Sequence, residues 1–432
     1  MNDLLANFEA GFPFPLDAYQ REACAEVAAG KGVLVAAPTG AGKTVVGEFA
    51  AHMAIANGAK CFYTTPIKAL SNQKYHDLAA RYGEGRIGLL TGDTSINGEA
   101  EVVVMTTEVL RNMIYAGSNT LANLGFVVMD EVHYLSDRFR GAAWEEVIIS
   151  LAPTVQLVAL SATVSNAEEF GEWLAEVRGD VAVVVSERRP VPLYQHVMAG
   201  HRLYDLFGAK DGEVNAKLLE LAKQETRALR DDARNPRGRS GKGKRRVTYG
   251  SGRFGGASYG SRDDSGSRLV PKREAILDEL NEQDLLPAIY FIFSRVGCDK
   301  AVRQLLHAQK RFTNRAEYAQ LEEIANRHTA ALGESDLQAL GYSTFLAAFC
   351  RGIVAHHAGL LPALKEAVEE GFAAGLLKVV FATETLALGI NMPARSVVLE
   401  KLVKYNGEGH VDITAGEYTQ LTGRAGRRGI DV

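Results

Sequence analysis

Short, continuous apolar runs that alternate with helical spacing are the feature that most restricts how this chain can fold. In the first half they are Gly32–Ala36, Lys60–Thr64, Val102–Met105, Phe126–Met129 and Gln156–Leu160. Each is too short for a helix and lacks the every-second-residue pattern of a half-exposed strand, so each reads as a strand covered on both faces. Helical stretches such as Val45–Ala56 lie between them. This alternation predicts an α/β fold with a parallel, doubly wound sheet. The theme returns in Ala288–Phe293, Lys378–Phe381 and Ser396–Leu399, and 432 residues exceed the usual length of one domain. Two α/β domains are therefore expected, residues 1–190 and 271–432, joined by a linker and insertion over 191–270.

That insertion breaks the pattern. From Ala233 to Arg262 there are nine basic residues, eight glycines and no acid. Such a stretch has too little apolar surface to offset its ordering entropy and reads as a disordered loop. Two roles stay open for it: a solvated insertion, or an electrostatic arm for a phosphate backbone with Tyr249, Phe254 and Tyr259 available for base stacking. The whole chain gives no such hint, since its net charge is −4. Any contact with nucleic acid has to come from local sites. Cys24, Cys61, Cys298 and Cys350 are scattered, with no metal-ligand spacing, which suits a reducing compartment. Asp3 and Glu9 stand where a signal peptide would need an apolar run, and no long uncharged apolar stretch appears elsewhere. A cytoplasmic protein without membrane contact is expected.

Three segments carry chemistry. Ala37-Pro38-Thr39-Gly40-Ala41-Gly42-Lys43-Thr44 follows a strand and opens a helix. Gly40 and Gly42 allow the backbone to curl so that its N–H groups face phosphate oxygens, beside Thr39 and Ala41 and at a helix N-terminus. Lys43 is then expected on the β and γ phosphates of ATP and the Thr44 hydroxyl on Mg²⁺. Ala37 replaces the glycine that usually opens such a loop. Asp130-Glu131-Val132-His133 follows the strand ending at Met129, at the strand end where α/β folds place ligands. Asp130 is expected to hold Mg²⁺ through water, and Glu131 to orient and deprotonate the attacking water. Gln420-Leu421-Thr422-Gly423-Arg424-Ala425-Gly426-Arg427 sets Arg424 and Arg427 three apart, on one face of a helical turn. They are expected, with Gln420, to complete the catalytic set by stabilising charge on the transferred phosphoryl group.

The ordered set resembles the DExH-box helicases of superfamily two, and within them the superkiller-type, exosome-associated RNA helicases. Supporting blocks are Thr65–Lys74, Thr91-Gly92-Asp93, Ser161-Ala162-Thr163, Ala355–Pro362 and Phe381–Ala394. The resemblance spans nearly all of the chain outside 200–270 and 310–345. It implies two tandem RecA-like domains with ATP in the cleft between them. It further implies that Phe14 stacks on adenine, that Gln20 bonds the base edge, and that Gly389 and Asn391 line the cleft opposite the phosphates. Ser161, Thr163 and His133 would link the ATPase cleft to the strand track. Pro66, Lys68, Thr106 and Thr107 would grip the strand from the first domain, and His357, Gly359 and Thr383 from the second. The pair His356-His357 has no carboxylate or cysteine cluster beside it and is not read as a metal site.

Strand grips of this kind act on the sugar-phosphate backbone, so they leave the choice of sugar open. Arg427-Arg428-Gly429, where the DNA-repair branch usually has proline in place of Arg428, resembles the RNA branch, as do Asp130–Tyr134 and the Trp144-Glu145-Glu146 run. Movement 3′-to-5′ on single-stranded or 3′-tailed RNA is thus implied, with an RNA-decay nuclease complex as partner. A 3′-to-5′ DNA repair helicase and a nucleotide-gated RNA clamp remain the alternatives. Ser396–Ile413, with Asn406-Gly407 at its turn, is expected to form a strand-separating hairpin. The family normally continues past Arg428 into a winged helix and a helical bundle, so a complete ATP site with an incomplete strand grip is also expected.

Overall fold

The computed structural model describes residues 2–136, 141–162, 167–208, 212–234, 269–386, 392, 394–405, 408–426 and 431. The chain divides into two compact units, Met1–Pro192 with Leu286–Val432, and Leu193–Leu285.

The larger unit holds two sheets. The first is built from β1 (Gly32–Ala36), β2 (Lys60–Thr65), β3 (Ile87–Leu90), β4 (Ser95–Ile96), β5 (Val102–Thr106), β6 (Leu124–Met129), β7 (Gln156–Ser161) and β8 (Val181–Val185). Their order is β4-β3-β5-β2-β6-β7-β1-β8, and every pairing except β3 with β4 is parallel. Helices cover both faces, and the central strands bury every residue but the first one or two of each. That double burial is why these strands read as unbroken apolar runs. One face packs Phe49, Ala50 and Met53 of the helix Thr44–Asn57, and the other packs Trp144, Val147 and Ile148 of Gly141–Ser150. The first helix is apolar on most of its surface, so it sits inside the domain rather than on it. Gly58 ends it in a left-handed conformation, φ 66°, a turn glycine adopts without steric cost.

The next two strands in chain order, β9 (His196–Ala199) and β10 (Arg202–Asp205), belong to the second unit. The second sheet follows as β11 (Ala288–Phe291), β12 (Ile353–His356), β13 (Val379–Ala382) and β14 (Ser396–Leu399), ordered β12-β13-β11-β14 and wholly parallel. Its core gathers Ile289, Phe291, Val354, Val380, Phe349 and Leu377. The architecture is therefore two α/β domains with mainly parallel sheets, as the apolar runs predict. The 310–345 region is helical, with Arg315–Thr329, Glu334–Ala339 and Tyr342–Phe349.

The hairpin expectation needs correction. Ser396–Leu399 is a strand of the second sheet, pairing with β11, because its apolar run has a buried neighbour to lie against. The antiparallel pair is shorter, β15 (Val403–Tyr405) with β16 (His410–Asp412). Asn406 and Gly407 lie outside the described residues.

In the second unit β9 and β10 form an antiparallel pair, followed by the helix Ala216–Arg234 and, later, Arg273–Glu282. The rest of the basic insertion lies outside the described residues. Among the described residues no helix is long and apolar enough to cross a membrane, and all four cysteines are buried and free.

Candidate active site

The loop between β1 and the helix Thr44–Asn57 is held from behind. Gly40 and Gly42 take φ of 82° and 89°, conformations that side chains resist and glycine does not. Tyr19 donates its hydroxyl to the Ala41 carbonyl at 2.7 Å, and Gln20 donates its amide to the Gly42 carbonyl at 2.9 Å. Gln20 is fully buried, and its oxygen accepts the Asp17 N–H. The amide to which the family resemblance gives a base edge also braces the loop. Phe14 stands 44% exposed, an open aromatic face at this end of the domain.

Lys43 is buried, with its ammonium on the carbonyls of Ala37 at 2.9 Å and Pro38 at 3.4 Å. Burial pushes its pKa down, Glu131 and Asp130 pull it up, and Arg424 pushes it down again. The four charges therefore share one locality. Asp130 is raised by burial first and by Glu131 second, with Lys74 and Lys43 opposing. Its Oδ1 accepts the Glu131 N–H at 2.9 Å and its Oδ2 accepts the Tyr63 hydroxyl at 3.0 Å.

Glu131 has φ 54°, unusual for a residue with a long side chain. Strain of that kind persists where the surroundings fix it, and it concentrates at functional sites. Its Oε2 is buried without a hydrogen-bond partner among the described residues. His133 Nδ1 lies 3.4 Å from it. That same nitrogen is 3.5 Å from the Ala162 N–H, and His133 Nε2 is 2.6 Å from the Gln420 amide nitrogen. One ring thus touches the acidic pair, the end of β7 and the helix Ala415–Thr422 of the second domain. Burial lowers the His133 pKa, against a raising influence from Glu131.

The second domain reaches the loop directly. A Cβ on Gly423 would stand 2.9 Å from the Thr39 Cβ, so only glycine fits against the phosphate loop there. Arg424 is half-buried, and desolvation lowers its pKa, with Glu131 the leading opposing influence. The backbone that follows is tied in place: Ala394 N–H donates to the Arg424 carbonyl, Gly426 N–H to the Ala394 carbonyl, and Arg189 to the Ala425 carbonyl at 2.9 Å. Arg189 belongs to the segment leaving β8, and sequence reasoning gives no signal for it.

The structure therefore brings together Thr39, Gly40, Ala41, Gly42, Lys43, Thr44, Asp130, Glu131, His133, Gln420 and Arg424. Ser161 lies close by, at the end of β7, its carbonyl accepting the Ala37 N–H at 3.1 Å. Arg427, Thr163, Gly389 and Asn391 lie outside the described residues. The donor set fits a triphosphate with a divalent cation. Thr44 offers a hydroxyl that has no hydrogen bond among the described residues, Glu131 a buried orphan oxygen, and the loop two glycines with open space where a Cβ would stand at Gly40.

The residues expected on the strand are placed separately. Pro66 and Lys68 follow β2, and Lys68 is exposed and paired with Asp93 at 2.6 Å. Thr106 ends β5; Thr107 is fully buried with its hydroxyl toward the Thr65 carbonyl, so its side chain faces inward. His357 accepts the Gly359 N–H on Nδ1 at 3.2 Å and meets Asp299 through Nε2 at 3.1 Å. Thr383 pairs with the Thr385 hydroxyl at 2.9 Å. These last three stand at the C-terminal ends of β12 and β13, the same edge of the second sheet.

Two family models match this chain: "DEAD/DEAH box helicase" over residues 17–170 and "Helicase conserved C-terminal domain" over residues 334–429. Among curated proteins, the chain is 57% identical to "Probable helicase HelY" of Mycobacterium leprae, across all of this chain and 46% of that protein. It is 39% identical to "Exosome RNA helicase MTR4" of Mus musculus, over 97% of this chain and 38% of that one. It is 36% identical to "Antiviral helicase SKI2" of Saccharomyces cerevisiae, over all of this chain and 35% of that one. The chain spans less than half the length of these relatives.

Proposed function

The chain belongs to the superfamily-two DEAD/DEAH-box helicases, ATP-driven enzymes, and from that membership we propose that it works as an RNA helicase core moving 3′-to-5′ along single-stranded RNA. The observation that carries the reading is the reach of His133 from Glu131 to Gln420, one contact joining the acidic pair of the first domain to the arginine-bearing segment of the second. Residues supplied from both domains make hydrolysis depend on the cleft, and the cleft on both domains.

In this reading Lys43 and the loop N–H groups hold the phosphates, while Phe14 offers its face to the base. Gln20 acts chiefly through the loop it braces. Glu131 takes the proton of the attacking water, its Oε2 without a hydrogen bond among the described residues. Arg424 and Arg427 stabilise charge on the transferred group, and Gly389 and Asn391 line the opposite wall. Mg²⁺, held by Thr44 and Asp130, would offset phosphate charge. His133, Ser161 and Thr163 pass the state of the cleft to the strand track. Pro66, Lys68, Thr106 and Thr107 grip the strand from one domain, and His357, Gly359 and Thr383 from the other. The β15–β16 pair, with exposed Tyr405 and Val411, parts the duplex.

RNA is favoured over DNA by the Arg427-Arg428-Gly429 ending and by relatives whose names specify RNA or the exosome. A bacterial relative at higher identity carries no substrate in its name. An RNA-decay nuclease is the partner we assign, in the cytoplasm. Strand displacement on duplexes with matched 3′ or 5′ tails tests the reading. ATP-dependent displacement confined to 3′-tailed RNA is expected. Preference for a 5′ tail would sink the polarity, and ATP-gated RNA binding with no displacement would make the chain a clamp.

A further inference from the structure

Behind Asp130 lies a buried arrangement that neither motif nor family reading uses. Tyr63, on β2, is completely buried, and its hydroxyl donates to Asp130 Oδ2 at 3.0 Å. A tyrosine inside a parallel sheet is an awkward choice, because its hydroxyl has to find a partner there. Neighbouring elements are shaped to admit it. Gly47 sits inside the helix Thr44–Asn57, where glycine costs about 1 kcal/mol relative to alanine. A Cβ at that position would stand 2.9 Å from Tyr63 Cε2 and 3.2 Å from its hydroxyl. The Tyr63 ring and Val128 Cγ1, also at 2.9 Å, together leave no room there for a side chain. On the other side Lys74 places its ammonium 5.5 Å from the centre of the Tyr63 ring and 3.2 Å from Glu48, whose other oxygen meets Arg81 at 3.1 Å.

The consequence falls on one carboxylate. An ionised Asp accepts about four hydrogen bonds. One oxygen of Asp130 accepts the Glu131 N–H and the other accepts Tyr63, which fixes the plane of the group and leaves the remaining lone pairs for other partners. Resting on the reading of Asp130 as the Mg²⁺-holding residue, we infer that Tyr63 is a positioning residue that orients the Asp130 carboxylate, with Gly47 and Lys74 fixing the ring.

Tyr63→Phe removes one hydroxyl and keeps the buried volume, so the test reads metal use rather than folding. Binding of a fluorescent ATP analogue to the full chain is titrated with Mg²⁺, beside the same titration of Asp130→Asn and thermal midpoints for both. Partners of this kind typically change metal affinity by about ten- to hundredfold. The expected result is a Mg²⁺ requirement raised by about that factor in Tyr63→Phe, with metal-free nucleotide affinity and thermal midpoint near wild type. A wild-type Mg²⁺ requirement in Tyr63→Phe beside a defective Asp130→Asn would overturn the role of Tyr63 alone. A wild-type requirement in both would overturn the reading of Asp130 and the inference with it. Loss of metal-free affinity together with a fallen midpoint would make Tyr63 a packing residue and likewise overturn the inference.

Discussion

The two sheets of the larger unit expose corresponding C-terminal edges of very different character. At the first, Lys43 and Asp130 bring opposite charges out of water, held by loop carbonyls, a tyrosine and a backbone N–H, with Glu131 half-buried beside them. At the second, His357 and Thr383 are satisfied locally and His356 has no hydrogen bond, and among the described residues no fully buried carboxylate stands beside them. A doubly wound sheet places ligands at this edge in either case. What differs is the chemistry each can perform. In the proposed function, buried opposite charges serve phosphoryl transfer, whereas the polar groups of the second edge meet the strand. Among the described residues, Gln420, Gly423 and Arg424 are what the second domain brings to the first edge.

That division is open to attack in order of expected effect. Arg427→Ala is expected to lower kcat by about three powers of ten while nucleotide affinity changes far less. Normal kcat with lost affinity would turn it from a catalytic group into a binding one, and the segment would no longer be the second domain's share of the chemistry. Glu131→Gln is expected to bind ATP and turn over on the order of a hundredfold more slowly. Wild-type turnover there would remove water activation from the first edge.

The histidine at the second edge gives a pH signature. Burial pushes His356 down to about 4, helped by Lys365 and His357, with Glu369 at 4.0 Å as the facing carboxylate. Its folded pKa lies below the unfolded value, so the stability it preserves is full above pH ~6.5 and is lost as pH falls toward 4. The slope is at most about 1.4 kcal/mol per pH unit. Urea melts of the protein against His356→Leu across that window are expected to differ by this slope. Parallel pH profiles would mean that the second edge already tolerates charge.

Lys68 is the exception within the first domain, an exposed cation away from the cleft and paired with Asp93. Exposed pairs contribute little to stability. Lys68→Ala is therefore expected to leave basal ATPase intact, weaken RNA binding a few-fold and reduce its salt slope by about one. A loss of basal ATPase would blur the line between chemistry and grip.

The sequence reveals these two edges unequally. The strands β1, β2, β5, β6 and β7 are legible because burial on both faces forces continuous apolar runs, and the phosphate loop and acidic pair because phosphate chemistry allows few substitutes. Val181–Val185 carries the same apolar signal and becomes β8, yet half of it faces solvent at the sheet's margin, so composition alone does not fix its place. The hairpin is misplaced by its apolar entry, since Val397–Leu399 satisfies a strand of the sheet as well as a ribbon. The bracing role of Gln20 and the Tyr63 contact are invisible in one dimension. Each depends on residues 22 or 67 positions away meeting across the fold. Arg189 is invisible for the same reason, its partner lying 236 residues on.

The most direct test of an RNA-directed ATPase cleft is steady-state hydrolysis by this chain with single-stranded RNA and single-stranded DNA of one sequence. Faster turnover with RNA than with DNA, abolished by Glu131→Gln, is the predicted result. Stimulation by DNA equal to or above that by RNA, or none by either, would contradict it.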